Sequence, residues 1–182
     1  MAQKGEIDLF FGDESRVNLQ PYVPYGWQLW GESDEEVAMP STSGGGINCF
    51  ALISRDNRIF SYLTQGFVDS QWIIERLDAL SFELKRTTIV VLDNASLHVK
   101  AAKERAAIWE QRGLLVWFLP KYSPHLNLAE VLWRKLKYEW LCASDYADEG
   151  SLHFAVWKAL HAVGDTLHIN FSAPKIRPFK IV

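Results

Sequence analysis

The run Thr87-Thr-Ile-Val-Val-Leu constrains this chain more than any other stretch. A strand with one face in water alternates apolar and polar residues, whereas an uncharged, β-branched run of this length describes a strand buried on both faces. Such a strand needs layers on both sides of its sheet, and its flanks carry helical patterns. Upstream, Ile73, Leu77, Leu80 and Leu84 recur at steps of three and four behind Ser70, a residue suited to capping a helix. Downstream, a helix is predicted over Val99 to Gln111, with Gly113 as its carboxy-terminal cap. Leu114 to Leu119 then reads as a second buried strand, stopped by Pro120. The loop Lys121 to Asn127 leads into a long helix from about Leu128 to Leu141, and Ser151 to Val163 predicts a last amphipathic helix.

The first third follows a different rule. Ile7-Asp-Leu-Phe-Phe-Gly suits a strand in which Ile7, Leu9, Phe11 and Asp13 share one face, with Asp13 at its end. Ile47 to Ser54 and Arg58 to Thr64 are two apolar, aromatic-rich runs joined by Arg55-Asp-Asn, which predicts an antiparallel hairpin. Gly31 to Gly46, with the acidic run Glu32, Asp34, Glu35, Glu36, is expected to be a solvated loop. The resulting order is β, ββ, α, β, α, β, α, α. Antiparallel strands followed by strand-helix alternation define a mixed α/β fold with right-handed crossovers. Among such folds the ribonuclease H-like one, three antiparallel strands followed by helices and two parallel strands, matches this order.

A length of 182 residues, with 10 Phe, 8 Trp and 6 Tyr, excludes intrinsic disorder and suits one catalytic-sized domain, with a core over about 7–141 and a carboxy-terminal helix and tail over 151–182. No apolar stretch approaches the roughly 20 residues of a membrane helix. The opening Met-Ala-Gln-Lys-Gly-Glu lacks the apolar core of a signal peptide, so a cytoplasmic location without membrane partners is expected. Cys49 and Cys142 have neither disulfide nor zinc-site spacing and are both expected to be buried as small apolar residues. The net charge of −3 conceals an uneven distribution. Residues 1–84 hold 5 basic and 13 acidic side chains, while residues 85–140 hold 10 basic and 5 acidic. The middle of the chain can therefore offer a positive surface to phosphates even though the whole is acidic.

Three acids fall where this order of elements would bring them together: Asp13 on the first strand, Asp93 at the end of the buried strand, and Glu130 in the first turn of the long helix. Clustered carboxylates repel unless a proton or cation lies between them. Hard oxygen ligands select Mg²⁺ or Mn²⁺, and a pair of such ions can activate a water and stabilise the leaving oxygen of a phosphodiester. Each acid also has a plainer explanation: Asp93-Asn94 as a turn former, Glu130 as a complement to the helix dipole, Asp13 beside Glu14 as a solvated strand end.

The flanking sequences distinguish these cases. Phe10-Phe-Gly-Asp-Glu-Ser, Val90-Val-Leu-Asp-Asn-Ala-Ser-Leu-His and Leu119-Pro-Lys-Tyr-Ser-Pro-His-Leu-Asn-Leu-Ala-Glu-Val-Leu-Trp-Arg-Lys-Leu-Lys resemble the three signature blocks of the DDE superfamily endonucleases, bacterial insertion-sequence transposases related to the mariner group. The resemblance spans roughly Leu9 to Trp140, and 36 residues separate Asp93 from Glu130, close to the family's usual spacing. It departs at Leu128 and Ala129, where a Pro and a larger aliphatic are common, and at His125, where an acid is common. It implies that Asp13, Asp93 and Glu130 are the catalytic, metal-binding acids. It also implies two divalent metal ions, Mg²⁺ or Mn²⁺, cleavage and strand transfer on DNA, and transposon ends and target duplex as partners. Full-length members usually carry an amino-terminal helix-turn-helix region. The first strand begins so close to residue 1 that this region is expected to be missing here, as in a catalytic fragment, a second reading frame of a split element or a decayed remnant; a separate helix-turn-helix polypeptide and a homodimer are further implied partners.

The remaining candidates are for DNA contact. Lys121, Arg134 and Lys137 are the basic residues best placed for the DNA backbone, because positions 130, 134 and 137 share a helix face; pairing of Glu130 with Arg134 is the rival for that face. Asn94 and Asn127 either contact phosphate or hold loop backbone. His98 either faces a scissile phosphate, donates to a ligand carboxylate, or bonds backbone. Trp133 and Trp140 are expected in the core. Two rivals to a transposase stand at this stage: a phosphoacceptor receiver domain, which needs an all-parallel sheet, and a transposase remnant that binds nucleic acid without cutting.

Overall fold

The computed structural model describes residues 6–21 and 45–171. The expected loop from Gly31 to Gly46, apart from its last two residues, lies outside them together with its acidic run and the tail beyond residue 171. Five strands form one sheet: β1 (Asp8–Asn18), β2 (Gly46–Ile53), β3 (Ile59–Thr64), β4 (Thr88–Leu92) and β5 (Leu114–Phe118), in the order β3-β2-β1-β4-β5. β1 pairs antiparallel with β2 and parallel with β4, β2 pairs antiparallel with β3, and β4 runs parallel to β5. The hairpin half rules out a receiver domain. All five residues of β4 are buried, as its unbroken apolar run requires.

Four helices cover the sheet: α1 (Ser70–Glu83), α2 (Ser96–Gln111), α3 (Leu128–Lys135) and α4 (Glu149–His161). Side-chain alternation along the strands sorts two cores. Phe10, Phe50, Leu52, Val90 and Leu92 pack with α1 and α2 on one face. On the other, Val17, Cys49, Ala51 and Ile53 pack with α3 and α4, and Phe11 joins them.

Several boundaries differ from the expectation for identifiable reasons. Asp69 caps α1, its side chain accepting from the Trp72 amide at 2.8 Å, and Ser70 is the first helical residue. α2 begins at Ser96 and α4 at Glu149, each slightly earlier than predicted. The predicted long helix stops at Lys135 and passes into one π turn over Leu136–Trp140; its apolar spacing persists, so the change leaves no mark in the pattern. Gly113 does follow α2 in a left-handed conformation, φ 83°. Cys49 is buried but Cys142 is exposed, its thiol donating to Asp145. Trp133 is buried and Trp140 partly so, packed against the α3/α4 core.

The largest departure concerns Asp13. It sits in the middle of the 11-residue β1, opposite Ala51 of β2. β4 accompanies β1 only from Asp8 to Phe11, with Phe11 level with Val91. Beyond Phe11, β1 continues on β2 alone, so Asp13 lies where the β4 side of the sheet has opened and Asp93 follows the end of β4. Gly12 makes the approach possible: a Cβ there would lie 2.6 Å from both Leu52 and Leu92.

Candidate active site

β1, the end of β4 and the start of α3 surround a cleft of about 460 Å³ lined by Asp13, Asp93 and Glu130, with Lys121 and Tyr122 from the loop after β5. Three segments far apart in the chain thus bring the three acids to one cavity. Among the described residues no three acidic, imidazole or thiol groups already form a closed metal-holding cluster. The electrostatics nevertheless couple the acids. Burial first, and then the charges of Glu14, Glu130 and Asp93, push the Asp13 carboxyl up to about 7. An all-oxygen donor set whose central acid resists ionisation for want of a positive charge suits a hard divalent cation.

The neighbours fix the acids in place. Trp133 Nε1 donates to Asp13 Oδ2 at 3.1 Å, so a core tryptophan also orients a carboxylate. Asn127 caps α3 by accepting from the Ala129 amide at 3.1 Å, and its own amide donates to the Gly12 carbonyl at 3.0 Å. That cross-link locks the turn carrying Glu130 to the backbone beside Asp13. Asp93 Oδ1 accepts from the Ala95 amide at 2.9 Å and from His98 Nδ1 at 2.7 Å. His98 is completely buried, and its Nε2 lies 2.8 Å from Glu14 Oε2, within ion-pair distance. Burial alone would keep this imidazole neutral, but the carboxylates of Glu14 and Asp93 outweigh burial and raise its pKa.

The structure sorts the candidates for DNA contact. Asn127 and His98 are buried, which removes both from any DNA backbone: Asn127 holds backbone and His98 holds Asp93. Asn94 is exposed, and its amide donates to the Leu119 carbonyl, tying the end of β4 to the end of β5. Lys121 is exposed on the cleft wall. Arg134 is exposed on α3, and no ion pair joins it to Glu130. Lys137 is half-buried; burial lowers its pKa, opposed by the neighbouring Cys49, Glu130 and Asp13.

Sequence reasoning missed Glu14 and Tyr122. Strand alternation was sufficient to place Glu14 on the face opposite Asp13, the face against which α2 packs. Tyr122 carries no such signal: it is 98% exposed and adopts φ 58°, a left-handed conformation uncommon for a non-glycine residue.

Comparison with known proteins agrees with this geometry. The family model described as DDE superfamily endonuclease matches residues 8–153. The insertion element IS630 uncharacterized 39 kDa protein of Shigella sonnei is 25% identical over 143 residues; the match takes in 72% of this chain and only 38% of the length of that relative. Among solved structures, the Mos1 transposase paired-end complex with left transposon end aligns with TM-score 0.52 and 18% identity over 85% of this chain and 51% of that one. The Mos1 mariner paired end complex with Mn gives 0.53 and 17% over 84% and 51%. The catalytic core domain of BIV integrase gives 0.51 and 13% over 85% and 81%. The fold is ribonuclease H-like, as in integrase and transposase cores. With the family model covering all three acid-bearing segments, the chain belongs to the DDE superfamily endonucleases.

Proposed function

We propose that this chain cleaves and joins DNA phosphodiesters as the catalytic part of a transposase, with Asp13, Asp93 and Glu130 holding two divalent ions, Mg²⁺ or Mn²⁺. The observation that carries it is the convergence of these acids on one cleft, with burial and mutual charge holding Asp13 up to about 7. The ions, when bound, would supply Lewis acidity at the attacking and leaving oxygens. The chain's own residues do the rest. Trp133 and Asn127 set the positions of Asp13 and of the α3 turn, Lys121 offers a positive charge to the phosphate backbone at the cleft wall, and Arg134 extends that charge along α3.

In strand cleavage a water oxygen attacks phosphorus in line, the P–O3′ bond breaks, and a proton ends on the departing 3′ oxygen. The products are a 3′-hydroxyl and a 5′-phosphate. In strand transfer that hydroxyl attacks a phosphodiester of the target duplex and displaces the target's own 3′ oxygen. The similar Mos1 structures, one a paired-end complex with left transposon end and one a paired end complex with Mn, support both the substrate and the ion. DNA is therefore the proposed partner, together with a second copy of the chain. The test is Mn²⁺-dependent nicking and strand transfer in a reconstituted system that includes the recognition region. Wild type is expected to be active, and Asp93→Asn and Glu130→Gln to lose activity by at least about a thousandfold, roughly 4 kcal/mol of transition-state stabilisation. Near-normal activity in either variant would reassign the active site.

A further inference from the structure

β1 sends adjacent acids to opposite faces of the sheet, and both end at the same cleft by different routes. Asp13 reaches it directly. Glu14 points to the α1/α2 face, where its Oε2 lies 2.8 Å from Nε2 of the fully buried His98, whose other ring nitrogen bonds Asp93 Oδ1 at 2.7 Å. We infer that Glu14 and His98 are positioning residues for Asp93: together they hold its Oδ1 so that Oδ2 is presented to the cleft. The inference rests on the assignment of Asp93 as a metal-holding carboxylate.

Three observations support it. First, both bonds to Asp93 converge on one oxygen, since Oδ1 accepts from His98 and from the Ala95 amide. Among the described residues Oδ2 has no hydrogen-bond partner, and Asp93 lines the cleft. Second, the His98 ring lies on the apolar α1/α2 face, with its centroid 6.3 Å from that of Phe50. Replacing a buried ionic set as a whole by apolar side chains is often neutral or stabilising, so packing alone does not account for an imidazole between two acids. Third, Glu14 Oε2 and His98 Nε2 are both buried and lie 2.8 Å apart. The ring is thus held by Asp93 at one nitrogen and by Glu14 at the other. An outer group fixes the ring, and the ring fixes the carboxylate that faces the cleft.

The test is Mn²⁺ affinity measured by calorimetric titration of the full chain, paired with melts in metal-free buffer. His98→Leu should weaken Mn²⁺ binding about 10- to 100-fold, the usual cost of losing such a partner, and lower the metal-free melting temperature because it leaves the buried Glu14 carboxylate without its positive partner. His98→Asn places its amide nitrogen near the Nδ1 position and should recover most of the affinity. His98→Gln reaches toward Glu14 instead and should not, while Glu14→Gln should give a smaller loss than His98→Leu. A purely structural histidine would not separate Asn from Gln in this way, so equal affinities in those two variants overturn the inference, as does wild-type affinity in His98→Leu. If the His98 variants do not fold, the wild-type chain decides: a downfield, exchange-protected His98 ring proton should shift on titration with Mg²⁺, and its absence overturns the inference. A wild type that binds no Mn²⁺ overturns the metal assignment and this inference together, whereas normal wild-type binding with indifferent His98 variants overturns this inference alone.

Discussion

Asp13 and Glu14 are neighbours in sequence, carry the same charge, and meet opposite environments. On the α3/α4 face Asp13 looks into a cleft shared with two more carboxylates, and its pKa is pushed up to about 7 by burial first and then by the charges of Glu14, Glu130 and Asp93. On the α1/α2 face Glu14 meets a buried imidazole that itself bonds Asp93. The difference comes from strand geometry alone, because successive side chains leave a strand on opposite faces. One face is therefore left short of positive charge and ready to take it from outside, while the other has its positive partner built in.

The sharpest way to break this contrast is Asp13→Asn. A folded-state pKa raised from the ordinary 3.8 to about 7 means that the folded form holds the proton more tightly than the unfolded form does. The associated stability is full below about pH 4 and is lost as pH rises through about 7. Metal-free wild type should thus lose stability relative to Asp13→Asn across that window, leaving the variant higher by at least about 3 °C above pH 7, the shift expected from about 1 kcal/mol in a chain of this size. Mg²⁺ or Mn²⁺ should raise the wild-type melting temperature and leave the variant nearly unmoved. Parallel pH profiles of the two melts would remove the electrostatic distinction between the faces.

A comparable effect on stability should come from the cross-link between them. Asn127→Ala removes the cap of α3 and the bond to the Gly12 carbonyl. Loss of a cap costs about 1 kcal/mol and of a further buried bond about 1 kcal/mol, so denaturant melts should show a loss of about 2 kcal/mol and a weaker response to divalent ions. A loss below about 0.5 kcal/mol would mean that Glu130 reaches the cleft without this support. The smallest effect belongs to the rim. Lys121→Ala should leave the melting temperature unchanged and reduce the salt dependence of DNA binding by about one unit of slope; an unchanged slope would remove Lys121 from the DNA path.

Much of this was readable in the sequence, and the failures share a cause. The apolar run of β4, the hairpin of β2 and β3 and the three acids each carry local patterns, and local patterns sufficed. The alternating run Ile7-Asp-Leu-Phe-Phe-Gly stops before Asp13 and so predicts a strand end there, yet pairing with β2 continues to Asn18. That continuation depends on a partner more than thirty residues away, which no window around Asp13 contains. The buried position of His98 depends likewise on β1 across 84 residues. Asn127 looked like a loop residue in a DNA-facing block, and only the approach of Gly12 shows that its amide is already engaged.

The central place of β1 also bears on how the molecule is made. During synthesis β1 can zip onto β2 and β3 as a meander, but its parallel partner β4 arrives some eighty residues later. Until then β1 is an open edge with unpaired backbone, the kind of surface that recruits other strands. The second and third acids also emerge late, so the nascent chain carries no assembled cleft until Glu130 and the helix behind it have left the ribosome. Under the proposed function, the acid made first can do no work on DNA until the acid made last has joined it in the cleft.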